Sequence, residues 1–563
     1  MIKEIITAAE MKAIDINTSQ LGMEPIQLME NAGGAVAEII AAHIHSEKMK
    51  NGETNPSEEE MFESHPKVLL FAGLGNNGGD VFVAARHLEN YGIASLVLLT
   101  GSEQQIKTPE AQKNYALLKQ SARIKTIALK SESSLKDAVN GLENNILVIA
   151  DGIFGTGFSG KAAGIEKAAI DAINSIREKK KDVFVLAVDI PSGLEAAPAV
   201  CIKCAEEEQG ERTAVVTADA TITFHKMKTY LKDPKNKKYV GKIIVKQIGI
   251  PRNAEKYVGA GDLTALYRRD LKSKKGDSGK VLVIAGGAYT GAPALAGMAA
   301  LRTGCDIAAV AAPQKIYDAV ASFSPELIVK KLPTDLLSED NISILKDIIA
   351  AHDTVIIGPG LGNDPVVLKT AAELILQIQK AVIDADALRP EIINALEKRP
   401  HKSGTEIILT PHYGEFCRLA DYYGIKTAKK REENTVAEIE DAAAAICEKL
   451  SATVLLKGAP DLICGDKENI RYNATGNSGM TIGGTGDVLA GIVGGLLSKN
   501  KAFESACCGA FICGKAGDMV FEKKGNSLVP SDILKKIPDA INFENKSKIK
   551  KQKKHKIEKT KET

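Results

Sequence analysis

The chain has 563 residues, 44% of them hydrophobic and 49 of them glycine, enough to bury sizeable cores and too apolar for wholesale disorder. Its formal charge is +2, but nine lysines and three glutamates in the last 20 residues carry +6, leaving the body near −4 and excluding a polyanion-binding surface built on bulk charge. The absence of Trp, with aromatics at only 4%, argues against a base-stacking surface.

The N-terminal MIKEIITAAEMKAID carries charges every few residues and lacks the apolar stretch of a secretory signal. Short β-branched runs then alternate with helical patterns, the signature of doubly wound parallel sheets. In the first half they are KVLLFAG (67–73), SLVLLT (95–100), NILVIAD (145–151), VFVLAVD (183–189) and ATITF (220–224). Charge rises and strand pattern is lost over 248–280, which places a boundary near 253–265. The second half continues with KVLVIAGG (280–287), DIAAVAA (306–312), DTVIIGPG (353–360), AVIDAD (381–386), EIILTPH (406–412) and ATVLLKG (452–458). Each half thus supplies five or six strands, and the expected fold class is α/β: two unlike doubly wound domains in tandem, 1–252 and 265–541, followed by a disordered lysine-rich tail, 542–563. Polar stretches at 47–66 and 195–214 read as surface insertions.

The most apolar segment, ALAGMAALRTGCDIAAVAA, is broken by Arg302 and Asp306, so no membrane span is expected. Nine scattered cysteines include Cys201-x-x-Cys204 and the adjacent Cys507 and Cys508, without the second ligand pair that zinc requires. A reducing, cytoplasmic location is expected. The expected partners are small molecules rather than a specific nucleic acid or a membrane, with the chain forming a homo-oligomer.

In open α/β sheets, ligands collect beyond the carboxyl ends of the strands, and nearly every glycine-rich motif falls there. Gly73-Leu-Gly-Asn-Asn-Gly-Gly-Asp80 follows a strand and opens a helix, so main-chain amides and a helix start can meet an anion, the alternative being a bare tight turn. Asp151 heads DGIFGTGFSG and Asp189 heads DIPSG, each at a strand end. These carboxylates, with Ser192 and the Asn77 carbonyl, can form an oxygen cage for a hard cation or simply cap turns. In the second half, Gly483, Gly484 and Gly486 form an anion hole at a helix start, and Asp487 beside them is placed to take a hydroxyl proton. That combination fits phosphoryl transfer from a nucleotide. Lys457-Gly458-Ala459 can hold a phosphate, Gly358-Pro-Gly-Leu-Gly362 allows close backbone approach, and His412 and Glu415 stand in a strand-end loop. Asp384 and Asp386 read equally as water-mediated magnesium ligands or as turn caps, and Tyr289-Thr-Gly-Ala-Pro293 borders the same cleft.

GNNGGD, DGIFGTGFSG, DIPSGL, YTGAP, GPGLG, TPHYGEF and GGTGDVLAG occur in this order in the bifunctional NAD(P)H-hydrate repair enzymes of prokaryotes, which the chain resembles over 1–252 and 265–540. The resemblance implies a Rossmann-like epimerase domain followed by a ribokinase-like dehydratase domain. The first would interconvert the R and S hydrates of NADH or NADPH; the second would dehydrate the S form using ADP and Mg2+. By motif, Asn76, Asn77, Gly78, Gly79, Asp80, Gly155, Thr156, Gly157, Phe158, Ser159, Gly160, Lys161 and Asp189 would contact the hydrate, while Asn77, Asp151 and Ser192 would bind K+. In the second domain Gly360, His412, Tyr413, Gly414, Glu415, Phe416, Cys417, Arg418 and Asp487 would border the substrate. ADP would rest on Lys457, Gly458, Ala459, Pro460 and Asp461, and on Asn477, Ser478, Gly479, Met480, Thr481, Ile482, Gly483, Gly484, Thr485 and Gly486. Asp189 and Asp487 are the expected catalytic residues. Three positions depart from the family pattern: Val81 replaces a glycine, Gly152 an alanine and Ser478 a proline. A small-molecule kinase of the ribokinase type would use the same GGTGD chemistry.

Overall fold

A computed structural model describes residues 3–50, 66–121, 124–140, 142, 145–195, 214–399 and 403–542. The expected tail beyond 542, the Cys201-x-x-Cys204 pair and nearly all of both insertions lie outside these residues. The chain divides into two compact units, Glu4–Pro251 and a second beginning at Arg252.

The N-terminal unit is built on a seven-stranded sheet. From edge to edge its strands are Lys125–Ala128, Ser95–Leu99, Val68–Ala72, Val148–Gly152, Phe184–Val188, Ala220–Phe224 and Lys242–Lys246. All neighbours are parallel. The inner strands VLLFA and VIADG are buried throughout, as expected where helices cover both faces. Alternate residues face opposite layers: Leu69, Phe71 and Ile149 join one apolar cluster, from which Leu70 and Ala150 are directed away. Strand order reverses between Val68–Ala72 and Val148–Gly152, so the loops following these strands diverge and leave a crevice at their carboxyl ends.

The second unit repeats this logic with nine strands: Ile328–Leu332, Ile307–Pro313, Lys280–Ile284, Thr354–Ile357, Lys380–Ile383, Glu406–Leu409, Thr453–Leu456, Asp461–Cys464 and Ile470–Asn473. The last two are antiparallel additions. Val281, Val283 and Ile356 face one core layer, and Leu282, Ile284 and Val355 the other. Helix Thr485–Leu497 is buried along nearly its whole length, so its N-terminus is rigidly presented at the sheet's ligand edge.

The two doubly wound α/β sheets agree with the sequence expectation, but the count of five or six strands per half is too low. Three of the missed edge strands, KTIA, KIIVK and IVKKL, are short, half-exposed and lysine-bearing, so their hydrophobic pattern is weak; the antiparallel pair DLIC and IRYN that follows ATVLLKG was also missed. Among the described residues, no helix is long and apolar enough to cross a membrane.

Candidate active sites

In the N-terminal unit the loop after Val68–Ala72 turns directly into helix Asn76–Asn90. Gly73 permits this turn, because a Cβ there would lie 1.8 Å from the Ile153 carbonyl oxygen. Gly78 and Gly79 are bare for packing reasons: a Cβ would meet the Gly73 carbonyl oxygen at 1.9 Å and the Met29 side chain at 2.5 Å, respectively. Buried Asn77 donates from Nδ2 to the carbonyls of Phe154 (2.8 Å) and Val188 (3.0 Å), tying together the three loops of the crevice.

Asp151 ends its strand fully buried. Its carboxylate accepts the Ser192 amide at 2.7 Å and the Ser192 hydroxyl at 2.6 Å, while Ser192 Oγ accepts the Phe154 amide at 2.9 Å. Burial pushes Asp151 up to about 6 against these hydrogen bonds. Asn77, Asp151 and Ser192, named from separate motifs, therefore form one oxygen-rich cluster. Gly155 packs on Asn77, and Phe154 stacks on Phe158 with centroids 4.1 Å apart. Thr156 is half-buried, while Gly157, Ser159, Gly160 and Lys161 are exposed at the rim.

Asp189 has φ +64°, a left-handed conformation uncommon for a residue with a side chain. Its carboxylate accepts from Lys228 Nζ at 3.1 Å and Thr223 Oγ1 at 3.2 Å. Asp15, on helix Ala8–Gln20, is pushed up to about 7 by burial and by the Asp189 charge, with Lys228 and His225 opposing. Asp80 is likewise raised well above an ordinary carboxyl by burial, then by Asp189 and Asp15. Three carboxyl groups are thus electrostatically coupled around Asp189. Sequence reasoning missed Lys228 and Asp15: nothing in HKMKTYLK distinguishes a buried lysine from its solvated neighbours.

The two departures at 81 and 152 explain each other. An alanine Cβ at Gly152 would lie 2.2 Å from Val81 Cγ2, so the volume added at 81 occupies the space vacated at 152.

In the second unit Gly484, with φ +96°, is the N-cap of helix Thr485–Leu497 and leaves its first amides without a side-chain cap. The turn lies beside a buried ion pair: Lys457 Nζ donates to Asp384 Oδ1 at 2.8 Å, and a Cβ at Gly486 would sit 3.5 Å from that ammonium and 3.9 Å from Asp384 Oδ2. Burial, then the Asp384 charge, push Asp487 up to about 7, with Lys457 opposing and Asp386 adding to the rise. The structure therefore joins Gly486, Asp487, Lys457 and Asp384 at one place. Asp386 accepts the Gly362 amide at 3.0 Å, and Gly360, at φ +66°, packs against Tyr289, Ala292 and Pro293. The GPGLG and YTGAP loops are therefore adjacent.

The remaining residues divide by environment. His412 is an N-cap in a reciprocal box with Glu415: the Glu415 carboxylate accepts the His412 amide at 2.8 Å, and the Glu415 amide donates to His412 Nδ1 at 3.3 Å. Phe416 is wholly buried in the core, so its side chain packs and offers nothing to a ligand. Tyr413 OH donates to the Ala428 carbonyl at 2.7 Å, Gly414 packs on the His412 ring, and Cys417 is half-buried while Arg418 is exposed. Asp461 is occupied locally, accepting the Gly458 amide at 2.8 Å and Asn473 Nδ2 at 2.9 Å. Arg431, unnoticed in the sequence, crosses bare Gly458 to donate to the Pro460 carbonyl at 2.7 Å. Asn477 accepts the Gly479 amide at 3.1 Å and is pinned by Asp518 at 2.9 Å. Met480 packs on the core, whereas Ile482 is 41% exposed.

Comparison with known proteins gives a consistent result. Residues 25–230 match the family model of the YjeF-related protein N-terminus, and residues 281–539 that of NAD(P)H-hydrate dehydratase. A bifunctional NAD(P)H-hydrate repair enzyme of Archaeoglobus fulgidus is 37% identical over 538 residues, covering 96% of this chain and 98% of the relative. One from Methanocaldococcus jannaschii is 37% identical over 544 residues, covering 96% and 94%. A crystal structure of a ribokinase-like superfamily protein from Enterococcus faecalis V583 is 25% identical, covering 51% of this chain and 95% of its own, with a TM-score of 0.43. Two family models in tandem, and relatives matched nearly end to end, agree with two sheets that each carry an acidic, glycine-lined crevice: the chain belongs to the family of bifunctional NAD(P)H-hydrate repair enzymes.

Proposed function

We propose that the second unit dehydrates the S hydrate of NADH or NADPH at the expense of ADP, and that the first unit interconverts the R and S hydrates so that both are recovered. The observation that carries the first half is Asp487, a carboxyl near neutrality beside the Gly483–Gly486 turn and the Lys457–Asp384 pair. Asp487 takes the proton of the ring hydroxyl at carbon 6, and that oxygen attacks the terminal phosphorus of ADP, releasing AMP. The exposed amides of the glycine turn and Lys457 stabilise the transferring phosphoryl group. The ring nitrogen then expels phosphate from carbon 6, and loss of a proton from carbon 5 restores the dihydropyridine. Water is a poor leaving group and phosphate a good one, which gives ADP its role. Mg2+ would shield the diphosphate, held through water by Asp384 and Asp386.

In the first unit Asp189 does the proton work. Buried Asp151 has no ammonium or guanidinium partner among the described residues, and its neighbours Asn77 and Ser192 add only neutral oxygen donors. One negative charge among neutral oxygens suits a single monovalent hard cation, which supports K+ there. Among the described residues no cluster of three or more His, Cys, Asp or Glu side chains suits a metal ion. The reading places this repair in the cytoplasm in a homo-oligomer, with the epimerase in 1–252 and the dehydratase in 265–541.

Asp487→Asn tests the second unit: recovery of dihydronicotinamide absorbance from S hydrate with ADP and Mg2+ should fall by about 10²-fold or more. Near-normal turnover, or a stable phosphorylated product from the unaltered chain, would reject the assignment; the latter would favour a small-molecule kinase.

A further inference from the structure

The lysine of the N-terminal crevice is wholly enclosed. The Lys228 side chain is 1% exposed, and its ammonium donates to Thr223 Oγ1 at 2.7 Å, the Phe224 carbonyl at 2.7 Å and Asp189 Oδ1 at 3.1 Å. It sits on the two-residue strand Met227–Lys228, which pairs in parallel with Ile5–Ile6, immediately before the helix bearing Asp15. An isolated ammonium with no counter-charge is costly to bury, so this placement requires a carboxylate in return. Asp189 supplies it while holding a left-handed backbone. The charged and titratable groups around the pair come from every neighbouring element: Asp15 from helix Ala8–Gln20, Asp80 from helix Asn76–Asn90, His225 and Lys226 from the turn before Lys228, and Tyr230 after it.

We propose that Lys228 is a positioning residue of the epimerase: its ammonium, anchored by Thr223 and the Phe224 carbonyl, fixes the Asp189 carboxylate in place as the base that opens the hydrated ring. This rests on the epimerase reading of the N-terminal unit. In the step, Asp189 takes the proton of the hydroxyl at carbon 6. The bond between carbon 6 and the ring nitrogen breaks, and its electron pair passes to that nitrogen, which accepts a proton from Asp15, whose carboxyl burial and the Asp189 charge push up to about 7. Carbon 6 becomes an aldehyde, turns about its bond to carbon 5, and is attacked by the nitrogen on its other face. Both protons return to their origins, so nothing is consumed.

The intact chain supplies its own control for protein concentration, because the activity of the second unit can be measured on the same sample, while circular dichroism checks that the first unit is folded. In the absence of ADP, interconversion of separated R and S hydrates is followed by chromatography. Lys228→Met should lower kcat for epimerisation by about 100-fold with KM changed by less than about threefold, while ADP-dependent dehydration of S hydrate is unchanged. Lys228→Arg, which keeps the charge, should retain at least about a tenth of the unaltered kcat. In Lys228→Ala, added n-propylammonium should restore turnover and n-propanol should not, a charge-specific rescue that a merely structural lysine would not show. Normal kcat in Lys228→Met, or equal rescue by amine and alcohol, overturns the role of Lys228. If Lys228→Met fails to fold, the arginine variant and the two rescue arms on Lys228→Ala decide the matter. If the unaltered chain does not speed interconversion, the epimerase reading itself falls.

Discussion

Replacing Asp487 with asparagine should inactivate the second unit and at the same time stabilise it. The carboxyl titrates near 7 rather than at 3.8, because burial and the neighbouring Asp384 oppose its charge. Holding it ionised above pH 7 therefore costs about 4 kcal/mol, taking roughly 1.4 kcal/mol for each pH unit of displacement. Water reaching a group that is only half-buried relieves about half of this, leaving ~2 kcal/mol. The sign follows from linkage: the folded state binds this proton more tightly, so the stability it contributes is complete below 3.8 and lost as pH rises through about 7. Asparagine imitates the neutral acid at every pH. The variant and the unaltered chain should thus unfold alike near pH 4, and the variant should gain about 2 kcal/mol, or about 4 °C, by pH 8. Calorimetry of both chains at pH 4, 6 and 8 reads the difference, to which the unchanged N-terminal unit contributes equally in each. A variant destabilised at pH 8, or an advantage that does not grow with pH, would refute the burial and charge argument. The dehydratase rate should fall on the acid side with an apparent pKa near 7.

Three further outcomes follow from contacts in the two crevices. Gly152→Ala should cost about 1–3 kcal/mol because of the 2.2 Å approach to Val81, and combining it with Val81→Ala should recover at least about 1 kcal/mol; additive costs in chemical denaturation would deny the complementarity. KCl should raise the N-terminal melting transition by about 2 °C or more over tetramethylammonium chloride at equal ionic strength, and Asp151→Asn should abolish the difference; an equal response to both salts would remove the K+ site. Lys457→Met leaves buried Asp384 without its cation and should cost about 3 kcal/mol, part of which Asp384→Asn in the same chain returns; a double variant no more stable than the single would contradict the pairing.

The sites were legible where chemistry coincides with punctuation. A glycine run after a β-branched run marks a strand end, and one before an apolar helix marks a helix start, so the loops at Gly73, Asp151 and Asp189 and the turn at Gly484 read as ligand-facing from the sequence alone. Their convergence was not readable: the bond from Asn77 to Val188 spans 111 residues, and that from Lys457 to Asp384 spans 73. Lys228 escaped notice because burial of a lysine depends on a partner 39 positions away. His412 stands where a capping box and a binding motif coincide, since both place a polar side chain at a helix start. Three of the four edge strands were hidden by their own lysines, which suit an exposed edge and blur the alternation that marks a strand.

The most direct test of the account is the yield from an equal mixture of R and S hydrates given to the intact chain with ADP, Mg2+ and K+. Two cooperating activities predict that nearly all of the mixture returns to NADH or NADPH in a single fast phase, with one AMP and one phosphate formed for each molecule recovered. Recovery that stops at the S half, or proceeds without ADP consumption, would contradict it.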